Sequence, residues 1–452
     1  MALGSALSTA RSSLKATSGQ INIVSQNIAG ARDPNYTRRT SYINSGFGGS
    51  VYALVRRDGN QQLLTNYLIK SSQATASGVI ATGADRLSSI HSGDDFSRSP
   101  AKLLSSFHDA LQTYYNEYDK PGTGDSAIAR ARDLVESLNR GSRDIEKLRS
   151  DTDEDIKASV DHINDLLNQF HDLEQQIVKA TAAGRDAYGY MDQRDGILKE
   201  LSQEIGITTA THSDGTTTIY GMDGSTLYDK IPRKITFEPS FALPAGVAGG
   251  AVLVDGVPLS HTSFKDPNGS GNLGGLLKVR DDIAPQYQKQ LDEIAAALLD
   301  MFQGPPSLFL DGGDSSVTGL SGRLSINPDF DSEQGGSAAA LGDRDKILEL
   351  LEKFKEDRNY GDGTGISGTP NILKFAEGST AWLEATRKDA TNAAQYQGTM
   401  FMRAYEALSN ETGVNTDDEM ALMLQLEQTY SATARVISTV GKMLDDLMMA
   451  IR

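Results

Sequence analysis

Residues 3–28 read LGSALSTARSSLKATSGQINIVSQNI, and residues 420–451 read MALMLQLEQTYSATARVISTVGKMLDDLMMAI. In the first, apolar or small residues fall at Leu3, Leu7, Ala10, Leu14, Thr17, Ile21, Val24 and Ile28, in alternating steps of four and three, with Thr17 the only polar member. In the second, the same rhythm runs through Met420, Met423, Glu427, Tyr430, Ala434, Ile437, Gly441, Leu444, Met448 and Ile451. A repeat averaging 3.5 residues draws one stripe along a helix, which is a coiled-coil seam. Nearly all of the remaining chain lies between the two seams. Such a chain pairs its own ends, or pairs them with those of its neighbours.

Charge supports the pairing. Before position 40 stand Arg11, Lys15, Arg32, Arg38 and Arg39 against Asp33 alone. From Glu411 onward stand Glu411, Asp417, Asp418, Glu419, Glu427, Asp445 and Asp446 against Arg435, Lys442 and Arg452. Opposite charge favours association and helps to set orientation. Off-seam apolar residues such as Ala6, Ile23, Leu422, Leu426, Val436, Val440, Met443 and Leu447 widen the stripe beyond a two-helix contact, so each helix is expected to meet several neighbours. The alternative is two unrelated surface helices of a globular protein.

The chain has 452 residues, enough for two to four domains, and a net charge of −17. With that charge and no basic tract, no nucleic-acid partner is expected. There is no cysteine, hence no disulfide, thiolate nucleophile or cysteine-based metal site. No run of eighteen apolar residues occurs, so no membrane insertion is expected. The N-terminus lacks the apolar core of a secretory signal.

The interior divides by pattern. Residues 1–29 read as helix, followed by a break at Gly30 and Asp33-Pro34. Residues 40–57 alternate glycine and β-formers as an extended hairpin. Ser99 and Pro100 open a helix as cap and first residue. The longest periodic run is 125–183, interrupted at Gly141 and with DTDED at 151–155 as a possible second entry, so it reads as a helical hairpin or bundle. Residues 207–270, with turn pairs at Asp214-Gly215, Asp223-Gly224 and Asp255-Gly256, read as β-structure. Near the C-terminus Thr416 and Glu419 match a capping box.

The predicted fold is therefore mainly α with an inserted β domain: elongated, terminal helices paired in a coiled-coil-like bundle, a central helical bundle and a small β-rich outer domain. The predicted units are 1–40 and 412–452 for the terminal pair, 41–206 and 271–411 for the helical shell, with an irregular insertion near 305–375, and 207–270 for the β domain. The termini are expected at one end and the β domain at the other.

Four stretches, in this order, make the chain resemble the rod/hook axial proteins of the bacterial flagellum, and among them the hook-associated members most closely. The first is ALSTARSSLKATSGQINIVSQNIAGARDPNYTRR at 6–39, where Gln26-Asn27-Ile28-Ala29-Gly30 stands for the family's N-N-I-A-N turn, with Gln26 and Gly30 departing from asparagine. The second is GGSVYALVRRDGNQQLL at 48–64. The third pairs MDQRDGILKELSQEIGI at 191–207 with GGLLKVRDDIAPQYQKQLDEIAAAL at 274–298. The fourth is GVNTDDEMALMLQLEQTYSATARVISTVGKMLDDLM at 413–448, where Leu426-Glu427 replaces the family's Y-Q. Residues 305–375 match little.

What the resemblance implies is a structural subunit that joins hook to filament and permits filament assembly. Its partners would be copies of itself in a ring, the flagellar hook protein, a second hook-associated junction protein, and an export chaperone on the C-terminal helix. It would lie outside the cell in the flagellum, exported without a cleaved signal. The assembly interface would comprise Leu3, Leu7, Leu14, Ile21, Val24, Ile28, Tyr430, Ile437, Leu444, Met448 and Ile451.

An enzyme is the rival reading, and its signatures are missing: no phosphate-binding loop, H-E-x-x-H or G-x-S-x-G occurs. No catalytic residue, cofactor or metal site is assigned. His162 and His171 are nine residues apart, too far to share one metal. Asp311 to Asp314 reads as a turn rather than a calcium loop, Asn35-Tyr36-Thr37 fits a glycosylation sequon or a turn, and Asp281-Asp282 reads as helix-start charge. Another hook or rod subunit, or a free coiled-coil effector or adhesin, remains compatible with the paired ends.

Overall fold

A computed structural model describes residues 2–45, 51–90, 97–212, 215–221, 223–259 and 271–450. Its organising element is α4 (Thr123–Ala182), 60 residues long. At 1.5 Å per residue it spans about 90 Å. It is one helix, not the hairpin predicted. Gly141 is buried within it, and Asp153 is fully buried instead of starting a second helix. One glycine costs a helix only about 1 kcal/mol, and apolar packing along most of α4 outweighs that.

Two cores lie along α4. The first gathers its N-terminal half (Ile128, Leu134, Leu138, Ile145) with α3 (Pro100–Asn116), the end of α2 (Gln61–Ser89), α7 (Ala284–Met301) and the start of α10 (Ile372–Thr412). As the sequence indicates, Ser99 caps α3 by accepting from the Lys102 amide. The second core gathers Ile156, Ile163, Leu167 and Phe170 of α4 with the start of α2, α5 (Tyr188–Glu204) and α6 (Gly271–Lys278). A π-helical turn, Val279–Ile283, links α6 to α7.

The β-structure belongs to the second core. Strands β3 (Ile207–Thr211), β4 (Thr217–Gly221), β5 (Thr226–Asp229) and β6 (Ile231–Pro232) form an antiparallel meander, and β7 (Ile235–Thr236), β8 (Leu253–Val254) and β9 (Val257–Pro258) a second small sheet. Ile219, Leu227 and Ile235 are buried in one cluster with Ile163 and Phe170. The Asn164 side chain clamps Ile235, accepting from its N–H at 3.0 Å and donating to its carbonyl at 2.8 Å. The sheets are therefore packed into the second core rather than detached from it, because among the described residues their apolar face has no other cover. Nor do they sit opposite the termini: Gln61 donates to Thr209 at 3.2 Å, immediately beyond the terminal segment. Residues 260–270 lie outside the described residues.

The distal pole is built instead by the stretch expected to be irregular. Among 305–375 lie β10 (Phe309–Leu310) paired with β11 (Ser325–Ile326), α8 (Leu320–Arg323) and α9 (Arg344–Lys353). Phe309 and Phe354 join Phe107 and Phe302 in an aromatic cluster with centroids 5.2–6.2 Å apart.

At the opposite pole α1 (Ala2–Gly30) packs along α11 (Thr416–Ala450). The antiparallel hairpin β1 (Arg39–Ser45) and β2 (Val51–Arg57), with Tyr42 opposite Leu54, packs on α1. The Val51 amide donates to Ser12 and the Gln20 amide to the Ser41 carbonyl. A boundary at 40/41 cuts this unit, because the hairpin follows α1 and not the helical body.

Replacing 207–259 with a short glycine-serine linker is expected to abolish the cooperative helical melt, since it uncovers Ile163, Phe170 and Leu198. Far-UV circular dichroism checks this; unchanged helicity and cooperativity would mark the sheets as an independent unit. Leu227→Ala is expected to cost about 2–5 kcal/mol in urea unfolding.

Candidate functional site: the paired terminal helices and their polar joint

The predicted seam of α1 largely faces inward. Ala10, Thr17 and Val24 are buried, and Leu7, Leu14, Ile21 and Ile28 half-buried. Leu3 lies in α1, but its side chain is outside the described residues, as is Ile451. On α11 the inward stripe differs from the prediction. Glu419, Leu426 and Val440 are buried, with Met423, Thr433, Ile437 and Leu444 half-buried. Tyr430 is 40% and Met448 69% exposed, so neither is covered within one chain. The stripe is rotated because it starts at a carboxylate. Reading only apolar residues starts it one position late, at Met420.

Glu419 shows what fixes that start. Its carboxylate accepts from Arg38 Nε at 2.8 Å and from Asn27 Nδ2 at 3.0 Å. The same Asn27 amide donates to the Arg39 carbonyl at 2.9 Å, while its oxygen accepts from the Arg39 N–H at 3.1 Å and the Tyr36 hydroxyl at 2.9 Å. Asn27 thus uses both donors and both acceptor positions. The capping box expected at 416–419 does not form; Asn415 accepts from the Asp417 amide, and Glu419 is drawn into the joint. Gly30 is needed here, because a Cβ would stand 2.5 Å from the Tyr36 ring.

A second layer binds this clasp to the body. Arg57 donates to Asp192 and Asp195, both at 2.7 Å, and to the Thr37 hydroxyl at 2.7 Å. Arg39 reaches Asp192 at 3.3 Å and Gln26 at 3.0 Å. Burial pushes the Asp192 carboxyl above its ordinary range, and Arg57, then Arg39, pull it part of the way back. Burial works against the Arg57 cation, but Asp195 and Asp192 outweigh it and hold its pKa above the usual value. Arg194 lies behind them against Glu174 and Thr217, both at 3.2 Å. The Arg38 N–H donates to the Thr412 carbonyl at 2.8 Å, so the chain's way out of the terminal pair is stitched to its way back.

The sequon is absorbed by this joint. Asn35 packs against Gly196, where a Cβ would stand 2.9 Å from its amide nitrogen, and it accepts from Lys199 at 3.1 Å. Burial lowers the Lys199 pKa. The remaining candidates are structural too. Asp311 and Asp314 accept from nearby amides, and the Arg323 guanidinium occupies their loop, donating to the carbonyls of Asp311, Asp314 and Thr318. Asp281 pairs with Arg280 rather than starting a helix. His171 bonds Tyr228 and Gln175. Among the described residues, no three metal-ligating side chains converge, and no helix is long and apolar enough to cross a membrane.

The terminal pair leaves large apolar side chains uncovered among its exposed charges. Met420, Leu424, Tyr430, Val436, Met443, Leu447, Met448 and Met449 are each 40–72% exposed along α11.

The joint makes two predictions. Arg57→Ala leaves two carboxylates buried without their cation and is expected to destabilise the fold by about 3–5 kcal/mol in urea titration. Glu419→Ala removes one acceptor from Asn27 and is expected to cost about 1–3 kcal/mol, with hydrogen exchange faster over 416–450 while the body's protection is unchanged.

Two family models match parts of the chain. The family model described as the flagellar hook-associated protein FlgK helical domain matches residues 92–304. The model for the flagellar basal body rod FlgEFG protein C-terminal matches 408–449. Flagellar hook-associated protein 1 of Escherichia coli (strain K12) is 28% identical over 313 residues, 66% of this chain and 56% of that protein. The chain thus spans little more than half the length of that relative. Flagellar hook-associated protein 1 of Bacillus subtilis (strain 168) is 21% identical over 501 residues, covering 98% of this chain and 97% of its own. Among solved structures, the flagellar hook junction protein FlgK from Burkholderia pseudomallei matches with a TM-score of 0.46 and 20% identity over 56% of this chain and 47% of that one.

Proposed function

We propose that this chain, which belongs to the family of flagellar hook-associated protein 1, is a structural subunit at the junction of hook and filament on which the filament is built. The observation that carries the reading is the number of large apolar side chains left exposed along α11, from Met420 to Met449. Within one chain they are unpartnered, although the helix pairs with α1 on its inner side. Eight large apolar side chains at least 40% exposed on one helix are more than a solvated surface needs, and they point to a site covered by a partner. We take copies of the same chain, arranged as a ring, as the first occupant. The hook protein, a second hook-associated protein and, before export, a chaperone on the C-terminal helix are the further partners. The location in this reading is the flagellum, outside the cell.

The interface in this reading comprises the predicted set Leu3, Leu7, Leu14, Ile21, Val24, Ile28, Tyr430, Ile437, Leu444, Met448 and Ile451, divided by role. The members buried or half-buried in the single chain hold α1 to α11. Tyr430 and Met448 face neighbours.

That division gives the test. Tyr430→Asp and Met448→Asp place a charge on a surface that is solvated in the monomer and desolvated between copies, at a cost of several kcal/mol per buried carboxylate. The thermal melt of the purified chain is expected to stay put while filament growth on completed hooks stops. Normal filaments in both variants would remove the outer face of α11 from the assembly. Ile437→Asp, half-buried against the partner helix, is expected to lower the melt as well.

A further inference from the structure

Five of the chain's 11 methionines lie in α11, at Met420, Met423, Met443, Met448 and Met449. Elsewhere, Met301 is fully buried in the first core and Met191 is half-buried. Toward the end of α11 the reverse holds, with Met443, Met448 and Met449 at 51%, 69% and 72% exposure. Met443 stands in a row with Val436 and Leu447, seven and four residues away along one side of the helix, both also exposed. Met448 lies one turn beyond Leu444, whose side chain is half-buried.

The chain has no cysteine, so its oxidisable sulfurs are thioethers alone, and their reaction follows exposure. A hydroperoxide reacts by passing one oxygen to the sulfur. The sulfur–oxygen bond forms as the oxygen–oxygen bond breaks, the sulfur gives up two electrons, and the peroxide is reduced. With hydrogen peroxide, the proton of the transferred oxygen goes to the departing hydroxide, which leaves as water. The product is a polar sulfoxide in place of a flexible apolar group. On a solvated helix surface that oxygen is hydrated and leaves folding undisturbed. Against a packed neighbour it must find a donor or be desolvated at a cost. Leucine fills similar space and favours the helix as well, so packing alone does not call for a thioether at these positions.

We infer that Met443, Met448 and Met449 form an oxidation-sensitive modification site, where a hydroperoxide acting on the free chain prevents its assembly while the body stays folded. The inference rests on the junction role proposed above and adds an order of events to it. The free chain is open to the oxidant at α11, whereas a chain already packed into the junction is shielded there.

The test uses the full chain, treated with hydrogen peroxide to partial conversion and then mixed with completed hooks. Bound and unbound chains are separated by sedimentation and their sulfoxides mapped by mass spectrometry. Sulfoxide at Met443, Met448 and Met449 is expected to be depleted about tenfold in the bound fraction, the effect of one desolvated polar group. Met402, 52% exposed on α10 and outside the terminal pair, is the internal reference, its sulfoxide expected in equal share in both fractions. Reducing the unbound fraction with methionine sulfoxide reductases of both stereospecificities is expected to restore binding. Equal partition of the α11 sulfoxides overturns the inference and leaves the junction role standing. Equally strong exclusion of Met402 sulfoxide, or a lower thermal melt of the oxidised monomer, overturns it too, because oxidation would then act through the body. Failure of the untreated chain to bind hooks sinks the junction role and this inference with it. A chain carrying Met443→Leu, Met448→Leu and Met449→Leu is expected to bind equally before and after peroxide; loss of binding on treatment assigns the sensitivity elsewhere and ends the proposal. The partition is made on the unsubstituted chain, so it decides whether or not that variant assembles.

Discussion

The amide of Asn27 ties the first helix to the last and to the segment that leads into the body. It touches Glu419 from the last helix and Arg39 and Tyr36 from the segment that leads into the body, with no unused donor or acceptor. A side chain satisfied four times in a buried place tolerates little substitution. Aspartate would lose the two donors, and leucine would strand the Tyr36 hydroxyl and leave Glu419 with Arg38 alone. Register follows from it. Once Glu419 is bound to Asn27 and Arg38, the inward face of α11 is set for its whole length.

The body's two cores raise a related question, because a polar belt of Arg149, Asp153 and Arg280 separates them on α4 and the adjoining π-turn. Hydrophobic residues there would merge the cores and add stability. The charges instead hold the loops of the β insertion by their carbonyls, a directional task that apolar contact cannot perform. In both the belt and the joint, polar groups sit where two packed units must meet at one geometry.

Much of the architecture is legible in the sequence. The seam of α1, the cap at Ser99, the paired strands on either side of 46–50 and the turns at Asp223-Gly224 and Asp255-Gly256 all depend on short-range periodicity or turn chemistry, which a single strand of sequence displays. The parts that are not legible depend on partners distant in the chain. Glu419 reads as a cap because its true partners, Asn27 and Arg38, lie almost four hundred residues away. Asp153 reads as a helix-start charge because Arg280 is out of view. Phe309, Phe330 and Phe354 are scattered through a glycine-rich stretch without period, so nothing local reveals that they fill a core. Asn27, Arg194 and Asp195 stand inside family-like motifs, yet only the fold shows that Arg39 and Arg57 join the first of these to the other two.

The unbroken course of α4 has a mechanical consequence. A helix of 60 residues that passes through both cores is a continuous strut, with no loop along it to yield under load. Bending or twisting applied at the terminal pair is therefore carried to the distal pole almost undiminished. Compliance is left to the joint, where the chain crosses few times and the contacts are ion pairs among Arg39, Arg57, Asp192 and Asp195. Neighbouring charges of this kind can exchange partners through small displacements, whereas interlocked side chains must unpack before they slide. The molecule is stiff along its body and adjustable at its neck.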